Sequence, residues 1–87
     1  MKQAYNVRSE KAYYSLLRQL DGMEYRTPAR NLPSDMHRWH VYGRNTVLFI
    51  ETDCKYVTYQ SVDYAEDQGY TITVFKPKDI FKEKVCL

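Results

Sequence analysis

The sequence predicts a small α+β domain: a β-α-β-β-β-α-β order, an antiparallel or mixed sheet, and one main helix packed on one face. Three observations lead there. One early stretch carries a helical apolar stripe between recognisable start and stop signals. Five short runs have strand length and strand-like alternation, and turn residues separate them. The 87 residues suffice for one core, since a chain this short buries only about 60–65% of the surface its unfolded form exposes. Residues 1–87 therefore read as a single domain without a cleft between domains.

Gln3–Val7 is the first expected strand, with Tyr5 and Val7 opposite Ala4 and Asn6. Ser9 is placed to cap a helix, and Glu10 in the first turn suits the positive end of the helix dipole. Tyr13, Leu16, Leu17 and Leu20 fall at i, i+3, i+4 and i+7, which makes one apolar stripe. Gly22 is the expected left-handed residue closing that helix. Pro28 and Pro33 then make residues 23–36 a long ordered loop, the kind that in a compact domain is often functional.

Arg38–Tyr42 alternates Trp39 and Val41 against Arg38, His40 and Tyr42, and is expected as a strand. Gly43-Arg44-Asn45 turns into Thr46–Glu51, whose Val47/Phe49 and Leu48/Ile50 sets both look buried, as in a central strand. Lys55–Gln60 follows as the next strand after a Thr52-Asp53-Cys54 turn. Ser61 caps a short helix, Val62–Gln68, which Gly69 ends. Tyr70–Phe75 is the last strand, with Ile72 and Val74 inward and Pro77 stopping it. Residues 78–87 are expected to dock partly, through Ile80, Phe81 and Val85.

The longest apolar run, Val47-Leu48-Phe49-Ile50, is far short of the roughly 20 residues of a membrane span. No apolar stretch follows the charge at Lys2, so no secretory signal is expected. Cys54 and Cys86 lack disulfide-scaffold or metal-motif spacing. The expected home is a reducing cytoplasm. Charge is unevenly spread: residues 1–45 hold eight Lys/Arg, all six arginines among them, against four acids, whereas residues 46–87 hold five Lys against seven acids.

No catalytic, cofactor or metal signature emerges. His37 and His40 would point to opposite faces of a strand, a poor geometry for sharing a metal. Cys54 has no base tied to it, and Asp63, Glu66 and Asp67 read as a solvated helix face. The glycines at 22, 43 and 69 each serve a turn or cap, so no phosphate loop is present. The protein is therefore not expected to be an enzyme.

What stands out is an arginine–aromatic group: Tyr25, Arg26, Arg30, Arg38, Trp39, His40, Tyr42 and Arg44. If the loop folds over the strand, these form a cationic, aromatic surface. It would suit nucleic acid through phosphate contacts and stacking, a nucleotide held in a pocket, or a protein partner, whose hot spots favour Tyr, Trp and Arg. The alternative is a solvated surface over a core that Trp39 helps to fill. Nine Tyr, three Phe and one Trp exceed what a core this small needs. Tyr13, Trp39, Phe49, Tyr59 and Phe75 are expected inside. An unpaired edge strand also leaves homodimerisation open.

The text from Tyr42 through Glu51, then Val57-Thr58-Tyr59, then Asp63-Tyr64-Ala65-Glu66-Asp67-Gln68-Gly69-Tyr70-Thr71-Ile72 resembles small early-region accessory proteins of bacteriophages and prophages of Gram-positive hosts. Trp39, Tyr42-Gly43, Asn45-Thr46, Asp63-Tyr64 and Gly69-Tyr70 carry the resemblance over roughly the second half of the chain. They are turn, core and cap positions with no catalytic motif among them. The resemblance implies action by binding inside a bacterial host cell. Its first expectation is an inhibitor of a host antiviral defence effector, of the anti-CRISPR type, with a CRISPR nuclease or its complex as partner. The alternative it leaves is a nucleotide-signal sponge or nucleic-acid-binding module.

Overall fold

A computed structural model describes residues 2–83. Its elements are β1 (Lys2–Val7), α1 (Glu10–Gly22), a 3-10 turn (Pro33–Asp35), a single helical turn α2 (Trp39–Tyr42), a second 3-10 turn (Gly43–Asn45), β2 (Thr46–Glu51), β3 (Tyr56–Ser61), α3 (Val62–Asp67) and β4 (Ile72–Phe75). The four strands form one mixed sheet in the order β3-β2-β1-β4. β1 and β3 run antiparallel to β2, and β4 runs parallel to β1. The α+β class and the mixed sheet are as the sequence predicts.

α1 begins where the Ser9 hydroxyl accepts the Ala12 N–H at 3.1 Å, satisfying one of the first-turn amides that lack a helical acceptor. Its stripe of Tyr13, Leu16, Leu17 and Leu20, together with Ala12, is buried. The helix ends differently from expectation. Gly22 is its last residue, and the left-handed position is Glu24, at φ 66°. The Tyr25 and Met23 amides donate back to the Leu20 carbonyl, at 3.1 Å each, and so close the last turn without glycine.

β2 is the central strand, and Thr46 through Ile50 are all buried. Even-numbered Leu48 and Ile50 join Val7, Val57, Phe75 and the α1 stripe on one face. Odd-numbered Val47 and Phe49 join Ala4 and Ala65 on the other, beneath α3. Helices thus lie on both faces, α1 on one and the shorter α3 on the other. Ser61 caps α3 by accepting the Tyr64 N–H at 3.1 Å, and Gly69 ends it at φ 77°. In β4 only Phe75 is buried. Ile72 is half-buried under α3 and Val74 is exposed, so the expectation of both pointing inward holds for Ile72 alone.

Arg38–Tyr42 is not a strand. Trp39 and Tyr42 are three apart, so one helical turn brings both rings to the same side, onto Tyr13 and Tyr59. A five-residue run satisfies helical and strand periods alike, and these two aromatic contacts select the helical one.

After β4 the chain crosses α1. Ser15 donates to the Pro77 carbonyl at 2.9 Å. Gln19 donates to the Asp79 carbonyl at 2.9 Å and accepts the Phe81 N–H at 2.8 Å. These bonds seat Phe81, 5% exposed, edge-on against Tyr5 and Tyr25. Glu83 then pairs with Lys55 and accepts the Tyr25 hydroxyl. Ile80 points outward at 76% exposure, while Val85 and Cys86 lie outside the described residues. No helix among the described residues is long and apolar enough to cross a membrane.

Candidate binding surface

Segment 36–45 is pinned from below by buried polar groups. The Tyr13 ring is fully buried; its hydroxyl donates to the Met36 carbonyl and accepts the Arg38 N–H at 3.3 Å. Burial pushes the Tyr13 phenol up to about 12, so it stays protonated and able to donate. The half-buried Trp39 ring sits 5.9 Å from that of Tyr13, and the Tyr42 ring 6.0 Å from that of Tyr59. Gly43, at φ 53° and ψ −127°, breaks the turn in a conformation other residues rarely take. The Thr46 hydroxyl then donates to the Gly43 carbonyl at 2.7 Å. Buried Asn6 on β1 donates to the carbonyls of Arg44 at 3.1 Å and Thr46 at 3.0 Å, and Arg8 holds the Asn6 oxygen at 2.8 Å.

What this anchoring displays is mixed in character. Val41 is 45% exposed and Tyr42 36%. Around them Arg38, His40 and Arg44 are exposed. The surface continues onto α1, where the Tyr14 hydroxyl lies 2.7 Å from His37 Nδ1 and Arg18 stacks 5.6 Å from the centre of the Tyr14 ring. Lys11, Tyr14 and Arg18 share a shallow groove of about 200 Å³ with Glu10. Apolar side chains ringed by arginines have the composition of an interface hot spot.

The eight residues singled out in the sequence divide into two groups. Arg38, Trp39, His40, Tyr42 and Arg44 lie together on segment 36–45, with Trp39 turned toward the core. Tyr25 is fully buried, its hydroxyl donating to Glu83 at 2.6 Å. Burial, and then the Glu83 carboxylate, hold its phenol well above the usual tyrosine range. Arg26 is half-buried, donates to the Tyr25 carbonyl at 2.6 Å, and forms a one-residue parallel bridge to Tyr56. Arg30 is exposed in the loop at φ 68°. Arg26 sits at the first residue of β3, whereas Arg44 precedes Thr46, which pairs with the last. Five strand steps, roughly 17 Å, separate the two groups.

Tyr14, His37, Arg18 and Lys11 belong to the surface but were missed as a group. The signal available was Lys11, Tyr14 and Arg18 at i, i+3 and i+7, one exposed helix face. Asn6 and Tyr13 were missed as anchors because their partners lie some 25 to 40 positions away. Because residues 38–42 form a helical turn, the opposite-face argument about His37 and His40 lapses. His37 is engaged with Tyr14, His40 is exposed, and no group of three metal-ligating side chains occurs among the described residues. Cys54 lies exposed beside a groove of about 220 Å³ on the α3 side of the sheet, with Lys2, Phe49 and Tyr56.

The arrangement offers exposed basic side chains on an anchored backbone, aromatic faces and exposed apolar area: the means of holding a partner. Comparison of the chain with protein-family models, with curated proteins and with solved structures finds no match.

Proposed function

We propose that the protein acts by binding, through segment 36–45, to an effector of bacterial antiviral defence, and that it inhibits that effector as an anti-CRISPR-type protein would. The observation that carries the binding reading is the exposed Val41–Tyr42 pair flanked by Arg38, His40 and Arg44 on a backbone fixed by Tyr13 and Asn6. Preorganisation matters because ordering a loop on binding would cost about 0.5–1.5 kcal/mol for each side chain immobilised. The apolar centre favours a protein partner over a purely phosphate-bearing one, and the arginines suit an acidic rim on it. The choice of a defence effector rests on the resemblance at Trp39, Tyr42-Gly43, Asn45-Thr46, Asp63-Tyr64 and Gly69-Tyr70.

Mixing the protein with a CRISPR nuclease loaded with its guide RNA tests this. The expected result is co-elution of the two and loss of target cleavage. Thermal stabilisation by micromolar nucleotide, with no effect on any nuclease, would move the assignment to a nucleotide sponge. Binding to nucleic acid that weakens steeply with salt would move it to a nucleic-acid module.

A further inference from the structure

We propose that the chain forms a homodimer by antiparallel pairing of β4 with the β4 of a second copy. The argument starts at the opposite edge of the sheet. There Val57 N–H donates to Arg26 C=O and Arg26 N–H to Lys55 C=O, so odd-numbered residues of β3 direct their backbone groups outward. Carrying that alternation through the registers of β3, β2 and β1 turns even-numbered residues of β1 toward β4. Thr73 and Phe75 then complete the parallel ladder, and the N–H and C=O groups of Ile72 and Val74 face out. Among the described residues nothing pairs with those four groups.

This edge is self-complementary. An antiparallel copy related by a two-fold axis at Thr73 sets Ile72 opposite the second copy's Val74, and Val74 opposite its Ile72. All four outward groups of each strand then pair, giving four inter-strand hydrogen bonds. The same register stacks Ile72 and Val74 across the join on one face and the two Thr73 side chains on the other, β-branched pairs that suit neighbouring strands. Edges that must stay single are commonly blunted by a charge, a proline or a bulge. β4 is short and Lys76 and Pro77 follow it, but no charge, proline or bulge falls within Thr71–Phe75, and Val74 is 37% exposed.

So short a join makes a weak dimer, in the micromolar range appropriate to a small interface. It leaves both copies' segment 36–45 free, because Tyr42 packs on β3 at the far edge of the sheet. Sedimentation of the full chain over a roughly hundredfold concentration range should show mass rising from monomer to dimer. Amide exchange at Ile72 and Val74 should slow in step. Val74→Pro removes only an outward N–H, and Val74→Lys places a charge beside the axis. Each should weaken association at least about tenfold without lowering Tm by more than a few degrees. Monomer mass throughout the range, or dimerisation that both variants leave intact, would overturn the proposal.

Discussion

Replacing Tyr13 by Phe removes one oxygen and leaves the ring among Leu16, Leu17 and Trp39. That oxygen donates to the Met36 carbonyl and accepts the Arg38 N–H, so one change removes two hydrogen bonds, while the two backbone groups keep the bond they make to each other at 3.0 Å. Each such bond is worth about 0.5–1.5 kcal/mol net. Met36 is half-buried and Arg38 exposed, so water recovers part of this, and the net loss should be about 1.5 kcal/mol. For a domain of this size that corresponds to a fall in Tm of about 6–12 °C. The local effect should exceed the global one: Arg38 amide exchange should rise by more than the loss of stability alone would produce, and binding by segment 36–45 should weaken. Urea unfolding with amide exchange reads both. A variant as stable as the original, with Arg38 exchange unchanged, would refute the view that Tyr13 anchors the segment.

Two further outcomes follow from the same contacts. Phe81→Ala should cost about 3 kcal/mol, since the ring is buried against Tyr5 and Tyr25, whereas Ile80→Ala should stay within about 0.5 kcal/mol; paired denaturant melts check this. Lys55 and then the Tyr25 hydroxyl hold the Glu83 carboxyl below the usual glutamate range. Its folded value is thus lower than its unfolded one, so its contribution is present above about pH 4.3 and is lost as pH falls further. Melts of the original chain and Glu83→Gln should converge below that pH and diverge above it.

Elements with strong local signals were legible in the sequence. Ser9 and the four-residue stripe define α1, two-sided burial marks β2, and Ser61 with Gly69 brackets α3. What stayed hidden depended on distant contacts. Residues 38–42 take their helical turn because Trp39 finds Tyr13 and Tyr42 finds Tyr59, 26 and 17 positions away. Tyr25 and Arg26 sit near Arg30 in the sequence and share its composition. Yet Leu20 and Glu83 draw Tyr25 into the core and β3 captures Arg26, which no spacing rule could anticipate. Arg38, His40, Tyr42 and Arg44 could be grouped early because residues so close in sequence stay close in space.

The most direct test of the account is the affinity of a guide-loaded CRISPR nuclease for the original chain and for the Arg38→Ala/Arg44→Ala double variant, measured with matched Tm values. Both side chains are exposed, so the fold should persist, and the account predicts a Kd weaker by about 30-fold or more with inhibition of cleavage lost in proportion. Equal affinity and equal inhibition by the double variant would contradict it.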